Sequence, residues 1–366
     1  MRVGRGGTFR GVASLIRASS VLFMILLGGL ARPGFAAVGA EAAAGTIAGW
    51  PPQVSLVHYL SAADHSLQPT LFYKPEGDKP VPLLVALHTW SYDCLYPEPD
   101  YAKWCIDKGW AFVHPDFRGP NNRPEACGSD LVVQDILSAV DYARQHAAID
   151  PDRIYLVGVS GGGHVAMLLA GRAPALWAGV SAWCGIFDLK DWYGQCQARK
   201  LGYADAIAKA CGGPPGTSAA VDEQYRRRSG SAWLENAKHV PLDLNTGIHD
   251  GHQGTVPDSH SLHAFNVLAA PSDRLADDDI AFITDNALIP ASLPPPAKDP
   301  LYANNGALLR KTSGNTRVTV FDAGHTIIYE AALGWLEQQW KGQPARWDLR
   351  PATAANLQGR AVEAGK

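Results

Sequence analysis

The chain has 366 residues, of which 46% are hydrophobic and 18% charged, and a formal net charge of −3. That composition excludes wholesale disorder, and the length suits one large α/β catalytic domain. With no basic run beyond Arg226-Arg227-Arg228, the charge balance argues against nucleic acid as a partner.

Arg2, Arg5, Arg10 and Arg17 precede the apolar run Val21 to Leu30, and the small residues Gly34, Ala36 and Ala37 follow it. This order is that of an export signal, too short in its apolar part to span a bilayer. The expected organisation is a signal peptide over 1–37, a linker over 38–49, a catalytic domain over 50–342 and a polar tail over 343–366. The mature protein is then acidic, secreted or periplasmic, and without stable membrane insertion. All six cysteines lie beyond the signal, and an even count in an exported protein permits disulfides. Cys196 with Cys211 is the favoured pair because both fall in one loop-rich segment; Cys184, in the apolar run GVSAWCGIF, reads equally as a buried free thiol.

Along the chain, QVSLVHYL and TLFYKP read as two short antiparallel strands. VPLLVALH, residues 81 to 88, has no charge and no alternation, as a strand buried on both faces requires. A helix from Asp100 to Lys108 leads to a strand at WAFVHPD. The stretch Asp130 to Ala147 spaces Val132, Val133, Ile136, Leu137, Val140 and Ala143 as one helical face. Asp150-Pro151-Asp152 turns the chain into RIYLVGVS, and further strands are expected at AGVSAWCGI, VPLDLNTGI and RVTVFDAG. The alternation predicts an α/β fold with a mostly parallel central sheet flanked by helices. Residues 187 to 238 are too long for an ordinary connection and suit a lid over the carboxyl edge of the sheet. A second excursion runs from Val256 to Asn315, and a last helix is expected near Thr326 to Trp340.

GVSGGGH, residues 158 to 164, sets Ser160 between a buried strand and a helical pattern. In G-x-S-x-G at such a junction, small neighbours at Gly158 and Gly162 let sheet and helix approach, and the hydroxyl projects from a strained turn. The N–H of Gly161 then opens the helix and faces any oxyanion. Neither phosphate-loop frame matches this cluster, and a plain tight turn is the competing reading.

A serine nucleophile needs a base and a carboxylate to hold that base's tautomer. His325, in FDAGHTI between the last core strand and the final helix, is the candidate base. Asp250, in GIHDGH, is the candidate acid, with Asp258 as runner-up; Asp243 lies within a strand and is expected to point into the flank of the sheet. The main-chain N–H of Trp90, or failing that of Thr89, is the second oxyanion donor. Trp90, Tyr92, Trp183 and Trp192, with neighbouring aromatics, offer flat apolar faces to a substrate, against the alternative of packing under the lid. His249, His252, His260 and His263 have no metal-site spacing, so neither metal nor cofactor is expected.

The runs PDFRGPN, GSDLVVQDI and DPDRIYLVGVSGGGH resemble the catalytic domain of the prolyl oligopeptidase family and its stand-alone esterase relatives within the α/β-hydrolases. The likeness covers roughly Pro82 to His325. It implies an α/β-hydrolase fold with Ser160 as nucleophile, Asp250 as acid and His325 as base. Too little chain precedes the core for the family's β-propeller, HTWSYD stands where a glycine-rich oxyanion loop is expected, and the interval from Asp250 to His325 is long. The leading expectation is a secreted serine hydrolase of carboxylic esters, acylated carbohydrates among them, working through an acyl-enzyme. Its alternatives are a serine peptidase of the prolyl oligopeptidase type and a noncatalytic binding protein on the same fold. Substrates are accordingly small molecules, glycan esters or peptides.

Overall fold

The structure, a computed structural model, describes residues 46–302 and 305–347. The expected signal peptide, residues 38–45 of the linker and most of the tail lie outside the described residues. Strands that are almost free of charge build the middle of a nine-stranded sheet, because a strand covered on both faces has no water to offer a charged group. They are β1 (Ser55–Leu60), β2 (Leu67–Tyr73), β3 (Val81–Leu87), β4 (Ala111–Pro115), β5 (Ile149–Val159), β6 (Gly179–Trp183), β7 (Leu242–Gly247), β8 (Ala307–Ser313) and β9 (Thr316–Phe321). The order across the sheet is β1-β2-β4-β3-β5-β6-β7-β9-β8, parallel from β4 to β9 and antiparallel at the β1–β2, β2–β4 and β8–β9 pairings. This is the α/β-hydrolase arrangement. Asp150-Pro151-Asp152 do not form a turn ahead of the strand as expected; they lie within β5, where the register against β3 shifts between Val81 and Leu83.

Helices α1 (Pro99–Lys108), α2 (Asp130–His146), α3 (Gly161–Arg172), α4 (Leu189–Ala198), α5 (Tyr203–Cys211), α6 (Ala219–Arg228), α7 (Ser259–Leu268), α8 (Asp277–Asn286) and α9 (Tyr329–Leu336) surround the sheet. Ser129 caps α2 by accepting from the N–H of Val132. Helix α3 is buried all round from Gly161 to Gly171, consistent with its almost wholly apolar sequence. Two apolar clusters cover the two faces of the sheet, one including Val165, Leu168, Val180 and Ala182, the other Tyr101, Trp183, Phe321 and Trp335. Asp243 points into the flank, where it holds Arg317 of the adjoining strand through two hydrogen bonds of 2.8 and 2.9 Å.

The lid consists of α4, α5 and α6 between β6 and β7, with its own apolar cluster around Trp192, Ile207 and Tyr225 closing on Trp90. The last arginine of α6 ties it down. Arg228 is buried and donates to the carbonyl oxygens of Pro124, Ala126 and Cys127, while its own carbonyl bonds His164 of α3. Arg226 and Arg227 pair with Glu223 and Asp130, so no free basic patch results. All six cysteines are free and buried, which corrects the Cys196–Cys211 pairing. Those two residues sit on different helices, α4 and α5, and each serves as a small apolar side chain in the lid cluster. No helix among the described residues is long and apolar enough to cross a membrane.

Candidate active site

Ser160 follows β5 and precedes the first residue of α3 with φ +58° and ψ −119°, a conformation that side-chain-bearing residues adopt only when their surroundings enforce it. Packing enforces it here: a β-carbon on Gly158 would stand 2.4 Å from the carbonyl carbon of Gly162. The N–H of Ser160 donates to the carbonyl of Trp183 at 2.9 Å, hanging the bend from the carboxyl end of β6. The residue is 9% exposed. Beside it, a β-carbon on Gly161 would lie 2.5 Å from the main-chain nitrogen of Trp90, so the N–H groups of Gly161 and Trp90 are neighbours at the elbow.

Asp250 follows β7 and His325 follows β9, and those strands are paired in register up to Gly247 and Phe321, which brings the two loops together. His325 Nδ1 lies 2.6 Å from Asp250 Oδ2. The other carboxylate oxygen accepts from the N–H groups of Gly251 at 3.0 Å and Val256 at 3.1 Å. Bound in this way, the carboxylate favours the tautomer with the proton on Nδ1 and leaves a lone pair on Nε2. Asp250 is buried while the His325 side chain is 22% exposed, so the imidazole reaches the site and its acid does not. Among the described residues Ser160 Oγ and His325 Nε2 share no hydrogen bond; in unliganded enzymes this contact is commonly long and closes on substrate. Both are anchored at the end of β6, since Cys184, the residue after Trp183, has its Sγ within 4.8 Å of a nitrogen of His325 and a carboxylate oxygen of Asp250.

Cys184 was legible only as a buried thiol; its place beside the Asp250–His325 pair was not. Its backbone has φ +45°, its Sγ lies 3.4 Å from the carbonyl oxygen of Thr326, and burial pushes its pKa well up, so it is held as the neutral thiol. Cys184, Asp250 and His325 form the one group among the described residues compact enough to hold a cation. Their atoms are already engaged with each other and with backbone.

Asp258 accepts from the Thr284 hydroxyl at 2.6 Å instead of meeting His325, and burial pushes its pKa up to about 7. The other histidines have separate partners: His249 faces Asp322 at 3.4 Å, His252 the carbonyl of Thr284 and His260 the side chain of Gln195. Of the aromatic candidates, Trp183 is enclosed beside Tyr302 and Phe321 with its Nε1 on Ser181, which removes it from substrate contact. Side chains alternate along β6, and the elbow helix covers the face of Val180 and Ala182, opposite that of Trp183. Trp192 is buried too, its ring 4.7 Å edge-on to Trp90 and its Nε1 on the carbonyl of Thr255. Tyr92 is exposed and stacks on Tyr96 at 3.7 Å.

The profile of the prolyl oligopeptidase family matches residues 100–284. No curated protein matches the sequence. Among solved structures, the uncomplexed acylaminoacyl peptidase of Pyrococcus horikoshii aligns with TM-score 0.57 at 17% identity, over 81% of this chain and 43% of its own. An acylaminoacyl peptidase in complex with Z-Gly-Gly-Phe-chloromethyl ketone gives 0.54 at 17% identity over the same shares, 81% and 43%. A Mycobacterium tuberculosis puromycin-hydrolyzing peptidase gives 0.51 at 14%, over 79% and 40%. The chain thus spans less than half the length of the structures it matches, and at these identities the likeness establishes the fold. Half of the sequence, including the serine elbow and Asp250, lies within the matched segment, and the chain belongs to the prolyl oligopeptidase family.

Proposed function

We propose that this chain is a serine peptidase of the prolyl oligopeptidase type. His325 takes the proton of Ser160 as the hydroxyl oxygen attacks the scissile carbonyl, and the N–H groups of Gly161 and Trp90 hold the developing oxyanion. The same imidazole returns that proton to the leaving amine, so the amine departs neutral and an acyl-enzyme remains. Water repeats the sequence and frees Ser160. The observation that carries this reading is the 2.6 Å bond between His325 and Asp250, on strands that end beside the elbow. Peptides rank above the esters expected first, because family membership supports the peptidase and nothing in the site favours an ester. Export is part of the proposal, supported by the arginines and apolar run of residues 1–37.

The test is a fluorophosphonate probe followed by a substrate panel. Labelling of the wild type but not of Ser160→Ala is expected, and an unlabelled wild type points to the noncatalytic binder. Turnover of peptidyl anilides is expected next; hydrolysis of 4-nitrophenyl esters with no anilide cleavage returns the ester reading to first place.

A further inference from the structure

His88 follows the last residue of β3, and its ring is buried. Both ring nitrogens face carbonyl oxygens: Nδ1 lies 2.9 Å from that of Thr89, and Nε2 lies 2.6 Å from that of Asp116, just beyond β4. A carbonyl oxygen only accepts and a neutral imidazole has a single N–H, so the neutral ring would set a lone pair against one of these oxygens. The imidazolium meets both. The ring lies flat on Phe117, with centroids 3.8 Å and planes 4° apart, where a phenyl face attracts a cation. Burial, the largest single influence, disfavours the charge; the two carbonyls and the carboxylates of Asp116 and Asp93 favour it. Arg123 also acts on Asp116, and the ring of His114, 6.4 Å from that of His88, is held neutral by burial and by His88 itself, its pKa pushed down to about 3.

The carbonyl that Nδ1 holds belongs to the same peptide unit as the N–H of Trp90. That peptide is trans, so its C=O and N–H point in opposite directions. A β-carbon on Gly162 would stand 3.0 Å from the carbonyl oxygen of His88 and one on Gly161 2.5 Å from the nitrogen of Trp90, so this segment lies directly against the serine elbow. Among the described residues the N–H of Trp90 meets no backbone acceptor. We propose that, within the hydrolase reading above, His88 is a positioning residue for the oxyanion hole: a buried imidazolium that grips the carbonyl of the Thr89–Trp90 peptide and so aims the N–H of Trp90 at the attacked carbonyl. The bond to Asp116 anchors the far side of the ring, so the ring cannot turn away from Thr89 without losing a second bond. Its charge contributes as well, because a cationic donor on a peptide oxygen polarises that peptide and strengthens its N–H as a donor.

Nitrogen-15 NMR of the histidine-labelled wild type at about pH 8, where an unperturbed imidazole is neutral, tests the charge. The ring identified by its through-space contact to Phe117 is expected to carry a proton on each nitrogen, and one bare nitrogen overturns the proposal whether or not any variant folds. Inactivation by a fluorophosphonate tests the role, because its phosphoryl oxygen draws on the oxyanion donors only as Ser160 attacks. His88→Gln removes the charge and the grip on Thr89, and is expected to lower kinact by about 10² with KI within about threefold of wild type. His88→Asn sets an amide NH2 where Nδ1 stands, keeps a donor for Thr89 and is expected to lose less; circular dichroism verifies that both variants are folded. Equal losses in the two folded variants, a wild-type kinact in His88→Gln or a change in KI alone overturns this role and leaves the hydrolase reading standing. A wild type that does not label overturns both.

Discussion

The carboxylate of Asp250 divides its two oxygens between different tasks: Oδ2 takes the imidazole of His325 at 2.6 Å, and Oδ1 takes the backbone of Gly251 and Val256. Asp258, eight residues on, is equally buried and makes neither contact.

Asp250→Asn is therefore expected to lower kcat by about 10⁴, the effect of holding the base in the wrong tautomer, with little change in the circular dichroism spectrum. Asp258→Asn is expected to retain most activity. Steady-state rates on an anilide or activated ester check both, and a larger loss at Asp258 would exchange their roles.

Gly254 is a second point of control over the same acid. A β-carbon there would stand 2.2 Å from Asp250 Oδ1 and 2.8 Å from the β-carbon of His325. Gly254→Ala is expected to displace the pair and cost about 10² in kcat, since misplacement of a reacting group by an ångström has that effect. Measured rates within threefold of wild type would show that the loop yields without moving the acid. Arg199 at the end of α4 donates to the carbonyl of Gly254 at 2.6 Å, so the lid helps fix this position.

Asp258 gives the stability a defined pH dependence. Burial is the largest cause of its raised pKa, the nearby Asp250 charge adds to it, and the Thr284 hydroxyl and His252 oppose it. The folded value of about 7 exceeds that of an unfolded aspartic acid. The folded state thus binds the extra proton, and the contribution of Asp258 is fully present below the unfolded pKa and lost as pH rises through about 7. Urea midpoints of wild type and Asp258→Asn are expected to separate in favour of the variant between pH 5 and pH 8. Parallel profiles would show that the carboxyl is ionised throughout.

The cysteines provide a check on the corrected pairing. Burial raises the pKa of Cys196 to about 12 and of Cys211 to about 11, so both are poor nucleophiles when folded. A disulfide-exchange reagent is expected to find no fast-reacting thiol in the native protein and six after denaturation without reductant. Recovery of four would mean that one pair is joined.

The parts of the fold read correctly from sequence are those where burial leaves a plain signature. VPLLVAL and GVSAW have no charged residue because both faces of β3 and β6 are covered, and the serine elbow announces itself through glycines that packing requires. Strand β8 escaped because it is the sheet's outer strand, where Arg310 and Lys311 are only partly buried and the residues do not resemble a core strand. Helices α7 and α8 were hidden in the second excursion, where serines, histidines and three consecutive aspartates read as loop and only packing supplies the order. The Asp250–His325 pair was legible because chain order and strand ends constrain it.

The grip of Arg228 on three carbonyl oxygens has a consequence for traffic through the site. To swing the helical cover outward would strip a buried guanidinium of those acceptors, at about 1.5–3 kcal/mol for each charged hydrogen bond. The cover is a clamped roof, not a hinged door. A substrate that needs this end of α6 to lift away must therefore supply the free energy that holds Arg228 in place.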